Sequence, residues 1–203
     1  MKITKPKPLF FAAFLLFSVI SNAQTNKAVN DYLKVPGPIS FDSKSYKLSW
    51  SSHPAADYYK QEYLPGGESA DRFKSMILLD VLTGKVNVKD IVGAKVAELK
   101  KMKETNPVVN YEIFDNSKSG EYMLDFLLTA NGADGKISIA ERNVYRYTSF
   151  TDKSGNKGVL LFGISVRSYG EAITSFLADL KKNKKDLVNQ AAQFKIPSVT
   201  ITK

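Results

Sequence analysis

Between Val108 and Arg167 the chain alternates apolar and polar side chains in four consecutive runs with short polar links. In Val108 to Asp115, Val109, Tyr111 and Ile113 alternate with Asn110 and Glu112, the period of a half-buried strand. Asn116 to Gly120 has turn chemistry, and in Glu121 to Ala130 the residues Tyr122, Leu124, Phe126 and Leu128 share one face. Ile137 to Phe150 is rich in β-branched and aromatic residues, and Val159 to Val166 is almost wholly apolar, as in a strand covered on both faces. Short links between consecutive strands predict an antiparallel meander.

The flanks read differently. Val88, Ile91, Val92, Val96, Leu99 and Met102 follow helical spacing. Asn87 is the expected N-cap, and Asn106-Pro107 the stop. A second long helix is predicted from a Ser168-x-x-Glu171 capping box to about Phe194, through Ile173, Phe176, Leu177, Leu180, Leu187, Val188 and Ala191. Upstream, Ile39 to Asp42, Ser45 to Trp50 and Tyr58 to Leu64 read as strands, with a loop over Ser51 to Asp57. Phe73 to Leu82 fits either period, and a strand is the expectation. The tail from Pro197 suggests a short edge strand. Together these predict an α+β fold: an antiparallel sheet, built from a four-strand central meander plus N-terminal strands, packed with two long amphipathic helices.

Met1 to Ala23 has the grammar of a secretory signal peptide. Lys2, Lys5 and Lys7 precede an apolar core from Leu9 to Ile20, and Ser21-Asn22-Ala23 offers small residues for cleavage before Gln24. The apolar run is shorter than the roughly 20 residues of a membrane-spanning helix. No Cys stands at the cut, so a lipoprotein is not expected, and the address is periplasmic or extracellular. Removing the segment takes three lysines and no acid from a chain of formal charge +9. Residues 24–38 read as a flexible leader to a single α+β domain over 39–203. The chain has no Cys at all, which rules out disulfides and thiolate chemistry.

The element order over residues 39–194 resembles the PsbP-like fold of small exported or lumenal proteins. That resemblance implies a non-catalytic binding or assembly factor, and it carries over no functional residue.

Candidate chemistry is sparse. Asn131 to Ser138 has the look of an EF-hand loop, but with Gly135 at the sixth position the first and third ligands are Ala130 and Gly132, which have no side-chain oxygen. A hairpin turn on Asp134-Gly135 is the expectation. His53 is the sole histidine; Ser51 or Ser52 with Asp57 would complete a triad, but no nucleophile elbow is present. One His and no Cys leave no basis for a His- or Cys-rich metal site. Glu112, Glu121, Asp125 and Glu141 lie on neighbouring strands, where facing residues stand about 5 Å apart, near the separation of a retaining glycosidase. Arg142, Arg146 and Arg167 would balance them as an ordinary charged sheet face.

Two binding patches stand out. Lys181, Lys182, Lys184 and Lys185 form the densest charge cluster, suited to an acidic protein or an anionic surface. Export makes nucleic acid an unsuitable partner. Trp50, Tyr58, Tyr59 and Tyr63 cluster in sequence and suit an apolar or sugar ligand, or the core. The expected function is therefore a non-catalytic exported binding or assembly module of the cell envelope, without cofactor, whose partner is an envelope protein or small ligand. The alternatives are a small carboxylate hydrolase of glycosidase type and a neutralising partner of a secreted toxin.

Overall fold

The computed structural model describes residues 29–116 and 118–202, so the expected signal peptide lies outside the described residues. The elements run β1 (Ile39–Phe41), β2 (Lys44–Ala55), β3 (Tyr58–Pro65), β4 (Ser75–Thr83), α1 (Val88–Thr105), β5 (Asn110–Asn116), β6 (Glu121–Asn131), β7 (Ile137–Thr151), β8 (Lys157–Tyr169), α2 (Ala172–Lys182) and α3 (Lys184–Gln193). All eight strands belong to one antiparallel sheet, in the order β1-β2-β3-β4-β8-β7-β6-β5.

This corrects the predicted fold class. The meander is half of a larger sheet, and the long C-terminal helix is two short ones. The decisive joint is β4 against β8, paired from Ser75↔Val166 to Thr83↔Gly158. Over this paired stretch both strands are almost wholly apolar, so each needs cover on both faces and a strand on both sides, and together they form the centre. The chain walks from β1 to β4, crosses by α1 to the far edge at β5, and returns inward to β8.

Each face of the sheet carries its own core. On one, Val92, Val96 and Leu99 of α1 pack over Leu78, Leu124, Phe126, Tyr145 and Leu161. On the other, Val188 and Ala191 of α3 cover Ile77, Leu79, Val144, Phe162 and Ile164. Val199 and Ile201 of the tail, with Leu33 and Val35, complete that second layer.

Several local expectations need amendment. Residues 33–38 are no flexible leader: Leu33 and Val35 are buried. Buried Gln61 accepts from the Leu33 N–H at 2.8 Å, and the Tyr63 hydroxyl donates to the Val35 carbonyl at 2.7 Å. The tail forms no strand, yet Thr200 and Thr202 donate to the carbonyls of Leu33 and Tyr32. Ser51 to Ala55 continue β2 in place of a loop. Ser168 lies within β8, and Glu171 makes no side-chain cap to α2. The helix predicted across residues 172–194 breaks at Asn183, whose ψ of 31° leaves the helical range. Four lysines crowd this point and repel, and Asn is a weak helix former.

Other readings match the structure. The run Phe73 to Leu82 is a strand from Ser75 onward, and β4 ends one residue later at Thr83. Asn87 caps α1 by accepting from the Asp90 N–H at 2.9 Å. Asp42, the end of the first strand by its sequence, instead stands at positive φ with Ser43 in the two-residue turn between β1 and β2. Asp134-Gly135 turns between strands β6 and β7, with Gly135 at φ +74°.

Gly163 sets the spacing at the centre of the sheet. It pairs with Leu78 on β4 and Tyr145 on β7. A Cβ there would stand 2.9 Å from the Tyr145 ring and 3.2 Å from Leu78 Cδ1. Both neighbours are buried, so neither can step aside freely. Gly163→Ala is expected to cost about 1–3 kcal/mol in urea unfolding, as overpacked cores do. Wild-type stability in that variant would mean the Tyr145 ring is free to move.

Candidate functional site

The sequence-predicted carboxylates are all engaged. Asp125 and Arg142 make a bidentate pair, with Nε–Oδ1 and Nη2–Oδ2 both 2.9 Å, and both side chains are buried. Arg142 also donates to the Lys184 carbonyl at the start of α3. Glu121 accepts from Arg146 at 2.9 Å, and the same guanidinium donates to the Ala192 and Phe194 carbonyls at 3.0 Å. A cation at the end of a helix satisfies carbonyls that have no helical partner. Glu112 meets Lys184 at 2.5 Å. Glu141 binds Arg167, whose guanidinium lies 4.0 Å from the centre of the Phe73 ring. Asn143 then links Glu141 to Ser165. These groups fasten α3 and the loop before β4 to the sheet.

The four lysines gather at the elbow between α2 and α3, and all are exposed. Lys184 is tied to Glu112. Among the described residues, Lys181, Lys182 and Lys185 make no ion pair. The elbow is anchored by Arg142 beneath it, so these three charges project from a fixed corner.

The aromatic cluster does not hold together as a patch. Tyr59 and Tyr63 are buried on the α2–α3 side of the sheet. Tyr59 stacks on His53, with centroids 4.1 Å apart at 12°. Tyr32 packs against both rings, so His53 belongs to an aromatic stack and lies in a strand. Trp50, which pairs with Glu62, and Tyr58 lie on the α1 side. Trp50 is 38% exposed.

That α1 side holds a feature absent from the sequence reading. Glu62 on β3 is 7% exposed, and it sits diagonally across from Asp80 on β4 through the pairs Glu62↔Leu78 and Lys60↔Asp80. The Tyr58 hydroxyl donates to Asp80 Oδ2 at 2.8 Å, while Asp80 Oδ1 is buried with no protein partner. Burial raises the Glu62 carboxyl to about 7; Lys60 opposes the shift and Asp80 adds to it. Burial likewise raises Asp80, against the pull of Lys60 and Tyr58. Two acids with raised affinity for a proton, Glu62 buried and Asp80 half-buried, can act as an acid–base couple. A substrate would also need room beside them. A cleft of about 420 Å³ lies elsewhere, between the end of α1 and the β6–β7 turn, lined by Asn106, Pro107, Thr129, Asn131 and Ile137. Its lining is neutral and includes neither acid. The available signal for Glu62 and Asp80 was an acid inside an apolar run, most plainly Asp80 in M-I-L-L-D-V-L.

A protein-family model matches residues 33–196. The chain belongs to that family. The matched span starts at buried Leu33 and runs past the end of α3, so it takes in the whole sheet and all three helices. No curated protein and no solved structure matches the chain. Among the described residues, no helix is long and apolar enough to cross a membrane.

Proposed function

We propose that the chain is a non-catalytic binding module exported to the cell envelope, and that it holds an acidic partner at the α2–α3 elbow. The observation that carries this reading is a division of labour among the charges. Glu112, Glu121, Asp125 and Glu141 are each held by a cation, which withdraws them from general acid–base work. Lys181, Lys182 and Lys185, by contrast, are exposed on a corner fixed by Arg142. Fixed charges of one sign attract and orient an oppositely charged surface with little ordering cost. The signal-peptide grammar of residues 1–23 supports the envelope address.

The test is capture from envelope extract by immobilised protein, comparing wild type with Lys181→Glu, Lys182→Glu and Lys185→Glu combined. The expected result is one stoichiometric acidic protein, with affinity reduced roughly tenfold or more by the charge reversal and weakened by salt. Capture unchanged by the reversal would overturn the assignment to the elbow. Hydrolysis of an envelope glycan by the purified protein would overturn the non-catalytic reading.

A further inference from the structure

The two edges of the sheet are built very differently. An edge strand presents a row of unpaired N–H and C=O groups, and proteins blunt such rows with short strands, bulges, Pro or Lys. At one edge, β1 is three residues long, and β2 beside it is bulged between Leu48 and Trp50 and again between Ser52 and Ala55. Bulges bend and twist a strand away from a would-be partner. The other edge is β5, seven residues reading N-Y-E-I-F-D-N, without Pro or Lys. It pairs with β6 from Asn110↔Leu127 to Asn116↔Glu121 without a register shift. Among the described residues, no strand pairs with its outer side. At its middle stands Ile113, 44% exposed.

We propose that this edge is a self-pairing surface: β5 of one copy aligns antiparallel with β5 of a second, on a two-fold axis through Ile113. The phase of the backbone agrees. The Tyr111 N–H bonds to the Asn110 side chain and so is turned away from β6. Alternation along the strand turns Ile113 and Asp115 outward with it. The axis at Ile113 then brings Ile113 against Ile113, Tyr111 against Asp115, Glu112 against Phe114 and Asn110 against Asn116. No acid faces an acid, and the exposed isoleucine is covered by its own copy. Moving the axis one residue to Glu112 would set that carboxylate against itself, which is unfavourable between facing strands. Self-complementarity is what selects a second copy as the occupant. The blunted opposite edge makes the pairing close at two, because a β5-to-β2 contact would continue into a fibre.

Analytical ultracentrifugation of the purified protein, from micromolar to submillimolar concentration, tests this directly. The expected result is a reversible monomer–dimer equilibrium. Ile113→Lys sets two like charges against each other on the axis, and should raise the dissociation constant roughly tenfold or more. Circular dichroism of that variant should match wild type, since the side chain is already half exposed. A second variant uses the absence of native Cys: Ile113→Cys should form an intermolecular disulfide on mild oxidation, because paired Cα atoms about 5.5 Å apart lie within bridging range. Lys182→Cys, away from the axis, should not. A monomer at every concentration would overturn the proposal. So would a dimer that is indifferent to Ile113→Lys and that Ile113→Cys fails to cross-link.

Discussion

Asp125→Ala is expected to lower the free energy of unfolding by about 3–5 kcal/mol, the largest effect of any single side-chain truncation considered. The reason is the group left behind. Arg142 is buried, gives two hydrogen bonds of 2.9 Å to Asp125, and keeps its charge when the carboxylate is gone. An uncompensated guanidinium under the α2–α3 elbow has no route to water without loosening that elbow. Urea titration followed by far-ultraviolet circular dichroism measures the loss. Replacing both partners, Asp125→Leu with Arg142→Met, should recover most of it, because a buried pair exchanged for apolar groups of similar volume is often neutral. If Asp125→Ala unfolds within about 1 kcal/mol of wild type, the pair is solvated and its place as the fastening of α3 is lost.

Glu62→Gln should act in the opposite direction, and only above acid pH. Glu62 holds its proton to about 7 in the folded chain, against an ordinary value of 4.5. Between those values the native state binds more protons than the unfolded state, so stability falls as pH rises through the window. Glutamine keeps the shape and has no proton to lose. The variant should therefore match wild type below pH 4.5 and exceed it by about 3 kcal/mol at pH 8, since a tenfold change in proton affinity corresponds to about 1.4 kcal/mol. The charged neighbours are Lys60, Asp80, Arg167 and Glu141. Asp80, also raised, adds to the same slope. Denaturant midpoints from pH 4 to pH 8 give the readout. Parallel curves for the two proteins would show that Glu62 ionises freely in the fold.

The alternating runs from Val108 to Phe150, the Asn87 cap and the apolar stripe of α1 all follow from sequence, because each is a local signal. The width of the sheet does not, because strand order is a long-range property. The clue is present: Met76 to Leu82 and Val159 to Val166 are the two strands without a polar face, and such strands belong together in the middle. The double period of the first run hides this, and leaves two half-sheets unjoined. The C-terminal helix reads as one piece because apolar spacing persists across Asn183, while the break answers to the lysine crowd and to Arg142 reaching the Lys184 carbonyl. For the site, grouping carboxylates by strand finds four that are already paired. Glu62 and Asp80 stand out instead by their raised affinity for a proton, and the desolvation behind it depends on which strand lies beside which. The aromatic cluster splits for a plainer reason: Tyr58 and Tyr59 are consecutive in a strand, so they point to opposite faces.

The β4–β8 joint also bears on the order in which the molecule can assemble. Its partners are far apart along the chain, Ser75 with Val166, and everything between them must be laid down before they meet. Contacts of such separation impose a large loop-closure cost early and return stability late, which places folding in the slow range for small domains. Until residues 157–169 arrive, the first four strands have an open apolar flank and an unfinished interior. The last third of the chain thus decides when the first third becomes a folded protein.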